Sequence, residues 1–146
     1  LSRWSDLILI APATANTISK LSNGMASDLA STVVLASDKK VFLAPAMNVR
    51  MWEHNSNKIN VKKLKEFDYQ LIGPEIGDMA CGEFGEGKMT EPKNIINFLK
   101  FCVKIAGDFK LIFICFVKDF SEKFSRLSFS KIDALLIKQS NPSRVL

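Results

Sequence analysis

Two polar residues in apolar or glycine-rich company are the first candidates for chemistry. Asn48 lies in Ala44-Pro45-Ala46-Met47-Asn48-Val49-Arg50-Met51-Trp52, directly after the apolar run Val41-Phe42-Leu43-Ala44. Its amide offers one carbonyl acceptor and two N–H donors. That suits holding a carboxylate or an amide rather than acid–base work. The alternative is a helix cap, a frequent use of Asn. Cys81 lies among glycines, near Asp78 and Glu83, where backbone can approach a ligand closely. A thiol there can be a nucleophile, a metal ligand or a proton donor, or simply a small, partly buried loop residue. Its acidic neighbours disfavour a thiolate, which points to a protonated donor.

Other candidates are weaker. Cys102 and Cys115 sit in apolar runs and the only histidine is His54, so no Cys/His cluster with metal-ligand spacing exists. His54, in the polar stretch Glu53–Asn57, reads as a surface residue, and nothing places a nucleophile beside it. Gly82 to Lys88 falls short of a phosphate loop, because Met89 follows the lysine and acidic residues crowd it. Lys88 can still meet a phosphate as a point charge.

The elements that must position these residues follow from the hydrophobic pattern. Asp6 to Ile10 reads as a buried strand. It runs into Ala11-Pro12-Ala13-Thr14-Ala15-Asn16-Thr17, small and polar residues at the start of a helix that Asn16 or Thr17 would cap. Ile18, Leu21, Met25 and Leu29 recur on one helix face, and Gly24 predicts a break into two helices. Val41 to Ala46 is a second strand, Met51 to Phe67 a helix, and Tyr69 to Pro74 a third strand. Glu75 to Met89 holds four of the seven glycines and reads as a long lid or binding loop. Glu91-Pro92 starts a further helix. After Gly107 the composition changes: residues 108–146 have no glycine but six of the eleven phenylalanines. Phe109, Phe113, Phe116, Phe120 and Phe124 fall at helical spacing, yet Leu111 to Val117 reads equally as a strand. Gln139 to Leu146 reads as a disordered terminus. The alternation implies a layered α/β sheet with parallel strands and right-handed crossovers, in which ligands sit at strand ends.

The totals set bounds. At 146 residues and 47% hydrophobic the chain can bury a core. No apolar run approaches the ~18 residues of a membrane span. The start shows no signal-peptide pattern, and without an initiator Met it looks like the inside of a longer chain. Three cysteines, an odd count, suit a reducing, cytoplasmic setting. The net charge of +5 is spread along the sequence, so nucleic acid is not the default partner.

Three separated motifs resemble one family, the homo-oligomeric flavin-containing cysteine decarboxylases. Ala11 to Thr17 is similar to that family's Pro-Ala-Ser-Ala-Asn-Thr segment. Pro45 to Trp52 matches its Pro-x-Met-Asn-x-x-Met-Trp motif at every fixed position. Ala80 to Met89 resembles the substrate-clamp loop of the phosphopantothenoylcysteine decarboxylase branch. The resemblance runs from Leu1 to about Ile105. It implies a flavodoxin-like (Rossmann-like) three-layer α/β fold that binds FMN, in trimers or dodecamers built from trimers, with the flavin at a subunit interface. By analogy Thr14, Ala15, Asn16, Thr17 and Ala46 would contact FMN. Asn48 would hold the substrate carboxylate, Met51 would line the same site, and Cys81 would be the proton donor. The implied reaction is decarboxylation of 4'-phospho-N-pantothenoylcysteine to 4'-phosphopantetheine in coenzyme A synthesis, with the cofactor carrying the redox step. Relatives acting on peptide C-terminal cysteines stop at the enethiol, and the clamp with Cys81 favours the coenzyme A branch.

Two departures accompany the match. The family's active-site histidine and first strand lie upstream of a segment like Leu1-Ser2-Arg3-Trp4, and His54 does not match that histidine. The sheet is thus expected to be incomplete at its N-terminus, and the chain alone to be inactive and to bind FMN poorly. Residues 1–107 form the flavoprotein domain on this reading, and 108–146 an atypical tail, a degenerate remnant of a ligase domain. The competing reading is a non-catalytic flavoprotein-like regulatory or interaction subunit.

Overall fold

The computed structural model describes residues 5–79, 81–102, 109–115 and 132–138. Strand β1 (Leu7–Ala13) is buried at every position, as expected of a strand covered on both faces. It pairs in parallel with β2 (Lys40–Pro45), and β2 with the short β3 (Gln70–Leu71). On the other side of β1 lies β6 (Phe109–Cys115), in register from Leu7↔Leu111 to Ile10↔Ile114, followed by β7 (Ile132–Lys138). The five-stranded order is β3-β2-β1-β6-β7, parallel throughout. Both strands beyond residue 107 therefore belong to the same sheet as β1. The strand alternative is the one adopted in 109–115. Asp6 reinforces this seam: its backbone N–H donates to Lys110 O, and its Oδ2 accepts from Lys110 N, each at 2.8 Å.

Successive side chains of a strand point to opposite faces, so β1 feeds two cores. Leu7, Leu9 and Ala11 meet Ile95, Ile96 and Leu99 of helix α5 (Pro92–Cys102). Ile8, Ile10 and Ala13 meet helices α1 (Ala15–Ser22), α2 (Leu29–Leu35) and α4 (Asn55–Glu66) through Ile18, Leu21, Val33, Val34 and Leu64. This is the flavodoxin-like three-layer α/β arrangement. No helix among the described residues is long and apolar enough to cross a membrane.

Several boundaries differ from the sequence expectation. Helix α1 is capped by Thr14, not by Asn16 or Thr17; Thr14 is extended (φ −75°, ψ 164°) and its hydroxyl accepts from Thr17 N. The break near Gly24 is present: α1 ends at Ser22 and α2 starts at Leu29, where Asp28 and Ser31 form a reciprocal capping box. The helix read over Met51–Phe67 is two helices, α3 (Val49–Glu53) and α4. His54 divides them in extended conformation, and its Nδ1 accepts from Ser56 N at 3.3 Å. The glycine-rich stretch is not without structure of its own. Its Glu75–Asp78 (β4) and Phe84–Lys88 (β5) form an antiparallel hairpin. Leu1 to Trp4, Phe116, Phe120, Phe124 and Gln139 to Leu146 lie outside the described residues.

Candidate functional site

Parallel pairing of β1 and β2 brings their C-terminal ends to one edge of the sheet. Ala13 lies opposite Pro45, and Ala46 N donates to Ala13 O at 3.1 Å. The turn Thr14–Thr17 and the segment Ala46–Asn48 thereby become neighbours. Thr14 Oγ1 takes Thr17 N at 3.2 Å and lies 3.0 Å from Thr17 Oγ1. Ala15 is half-buried and Asn16 exposed. No side chain larger than a methyl group stands at Ala15 or Ala46, so a flat ring can approach this edge closely.

Asn48 performs the cap role and retains a free function. It is extended (φ −68°, ψ 162°), and its Oδ1 accepts from Met51 N at 2.8 Å, capping α3. That uses one of the oxygen's two lone pairs. The two Nδ2 donors have no partner among the described residues.

The hairpin closes over this point. Met47 N donates to Gly87 O at 3.1 Å. Gly87 has φ +147°, and a Cβ there would collide with Met47 O. Gly85 (φ +154°) leaves room for Val49, whose Cγ2 would lie 2.8 Å from an added Cβ. Glycine is thus required by both backbone conformation and close approach. Between hairpin and Asn48 is a cavity of about 360 Å³. Ala46, Asn48, Asp78, Cys81 and Lys88 line it, and Met47, Met79 and Met89 supply its apolar wall.

Among the residues singled out in the sequence, Asn48, Cys81, Ala46 and Lys88 are brought together. Thr14 to Thr17 stand at the adjacent turn, joined through Ala46. Met51 is not in this lining: it is 47% exposed and contributes its backbone N–H to Asn48. His54 is occupied as the α4 cap and is also absent from the lining. Arg50 was not singled out by residue type, though it is two residues from Asn48. Its Nε lies 3.8 Å from Glu83 Oε1, while Glu83 Oε2 accepts from Cys81 Sγ at 3.9 Å. A second cavity, about 410 Å³, lies beside Trp52 and Tyr69. Burial pushes the Tyr69 hydroxyl above its ordinary value of 10.0.

Residues 1–104 match the family model described as Flavoprotein. The chain belongs to the Flavoprotein family. Within that family it is 48% identical over 93 residues to the coenzyme A biosynthesis bifunctional protein CoaBC of Bacillus subtilis, covering 64% of this chain and 23% of that protein. It is 46% identical over 99 residues to CoaBC of Haemophilus influenzae, covering 68% and 25%. This Flavoprotein chain thus spans about a quarter of the length of the curated relatives it matches. Among solved structures, a PPC decarboxylase mutant complexed with pantothenoylaminoethenethiol aligns with TM-score 0.69 and 34% identity over 71% of this chain and 58% of that one. The FMN binding protein AtHal3 aligns with TM-score 0.64 and 35% identity over 70% and 57%.

Proposed function

We propose that this chain is the substrate-holding part of an FMN-dependent decarboxylase acting on 4'-phospho-N-pantothenoylcysteine in coenzyme A biosynthesis. The observation that carries the reading is the meeting of the free Asn48 amide donors and the Cys81 thiol on one cavity. The CoaBC relatives and the PPC decarboxylase neighbour support the same assignment.

The residues fit the flavin. Thr14, Ala15, Asn16, Thr17 and Ala46 offer hydroxyls, an amide and small side chains at the shared end of two parallel strands, where ligands of open α/β sheets sit. The Asn16 amide is exposed and makes no hydrogen bond among the described residues, which leaves it free to meet the cofactor. Met25 and Leu29, 48% and 54% exposed between the end of α1 and the start of α2, support a homo-oligomer that covers them. Bound flavin would supply the two-electron chemistry at the cysteine-derived carbon.

The chain's own residues do the rest. Asn48 holds the substrate carboxylate through Nδ2. A neutral amide suits a group that loses its charge as carbon dioxide leaves, because a cation would stabilise the ground state over the transition state. Cys81 donates a proton to the decarboxylated carbon. Met51 fixes Asn48 through its backbone rather than lining the cavity.

The test is co-expression with a homologue bearing the family's histidine, measuring bound flavin absorbance and carbon dioxide released from phosphopantothenoylcysteine. Turnover that falls with Asn48→Asp in this chain is expected. Turnover indifferent to that change, or no retained flavin, overturns the reading. The competing reading, a non-catalytic flavoprotein-like subunit, draws on His54 being spent as a helix cap. It predicts flavin retention without any Asn48-dependent turnover.

A further inference from the structure

Helix α4 carries a stripe of positive charge outside the cavity of Asn48 and Cys81. Lys58, Lys62 and Lys65 follow at steps of four and three residues, which places them on one helix face. All three are exposed, and none forms an ion pair or a hydrogen bond among the described residues. Like charges at this spacing weaken a helix, so the fold itself gains nothing from them.

The stripe borders two adjoining cavities. One, of about 410 Å³, is the recess beside Trp52 and Tyr69; the other, of about 330 Å³, is lined by Asn57 and all three lysines. Trp52, Val61 and Lys65 belong to both. Asn57 is 5% exposed; its Nδ2 donates to Trp52 O at 3.4 Å, and its Oδ1 is buried with no hydrogen-bond partner among the described residues. The half-buried Tyr69 hydroxyl makes no hydrogen bond among them either. Glu86 is the single carboxylate in the two linings.

We propose that these cavities bind a phosphorylated ligand bearing a flat ring, of the nucleoside diphosphate class. The phosphates meet Lys58, Lys62 and Lys65, and the ring lies against Trp52. Lysines hold phosphate as point charges, and an indole is a stacking surface for a base. Each volume is within the range of small-molecule sites. Asn57 Oδ1, the Tyr69 hydroxyl and the Glu86 carboxylate are acceptors, and the amino and hydroxyl groups of such a ligand bring donors.

Calorimetric titration of the full chain at low salt tests this with three probes: ADP, inorganic pyrophosphate and adenosine. ADP is expected to bind about tenfold tighter than either part alone. Replacing Lys58, Lys62 and Lys65 together by Gln should cost ADP and pyrophosphate about tenfold and leave adenosine unchanged. Trp52→Leu should cost ADP and adenosine about tenfold. Its unchanged pyrophosphate affinity would show that the fold survives, and Trp52→Phe should restore most of the loss. Gln at Lys40, Lys93 and Lys100, on β2 and α5, controls for diffuse charge. ADP no tighter than pyrophosphate, an equal loss in the control variant, or no binding of any probe overturns the proposal. Failure of Asn48-dependent decarboxylation would count against the proposed function and leave this titration standing, because Asn48 and Cys81 line neither cavity.

Discussion

Asn48 carries two separable functions on one side chain, and an isosteric change divides them. Oδ1 caps α3 by accepting from Met51 N at 2.8 Å, while Nδ2 has no partner among the described residues and Asn48 lines the cavity. Asn48→Asp keeps an oxygen where the cap needs one. Asp and Asn are comparable N-caps, and a negative charge at a helix N-terminus is favourable. Stability should therefore change by less than about 0.5 kcal/mol. The donors, however, are replaced by an acceptor bearing charge. Losing a hydrogen bond to a charged group costs roughly 1.5–3 kcal/mol, and repulsion between carboxylates adds about 1 kcal/mol. Together these predict about a hundredfold or greater loss of affinity for a carboxylate ligand. Asn48→Ala serves as the contrast: it loses donors and cap alike, and should cost about 1 kcal/mol of stability, roughly 3 °C in Tm. The assay is calorimetric titration of each variant with phosphopantothenoylcysteine and with 4'-phosphopantetheine, which lacks the carboxylate, beside a thermal melt. Asn48→Asp should lose only the first ligand and keep its melting temperature. Equal weakening toward both ligands, or a melt as low as that of Asn48→Ala, would refute the division of labour.

Two further outcomes follow from packing and burial. Gly87→Ala would place a Cβ on Met47 O in a backbone conformation that L side chains rarely adopt. It should lower stability by about 1–3 kcal/mol in urea denaturation and speed proteolysis within the hairpin. Tyr69 is the only tyrosine, and burial raises its folded-state pKa. Its contribution to stability is present below the unfolded-state value near 10 and is lost as pH rises through the folded-state value. Phenolate absorbance should therefore appear later in the folded chain than in the denatured one, and Tyr69→Phe should flatten the alkaline loss of stability.

Much of the framework was legible because it depends on local pattern. The uninterrupted apolar run before Ala11 can only be covered on both faces, and it became the central strand β1. Gly24 marked the gap between α1 and α2, and Pro92 opened α5. Short-range competition between neighbouring polar residues is not legible from residue type alone. Thr14 outcompeted Asn16 and Thr17 as the cap because it alone is extended at the end of β1. His54 interrupted an otherwise helical composition by bonding back to Ser56. The glycine-rich stretch looked structureless because glycines weaken every strand signal. Its hairpin is supported by cross-strand pairing and by contact with Met47 and Val49, neither of which a local window contains.

The sequence by itself determined the residue inventory and the family: three motifs, one amide, one thiol in a glycine-rich stretch, and the β/α alternation. Only the tertiary structure decided that Asn48 both caps a helix and keeps its donors free, since that depends on which oxygen Met51 N reaches. It also decided that Cys81 and Asn48 share one cavity while Met51 and His54 do not line it. The physical reason is that hydrogen-bond partners and burial are set by chain segments distant in sequence. The parallel pairing of β1 with β2 and the docking of a hairpin through Gly87 bring them together.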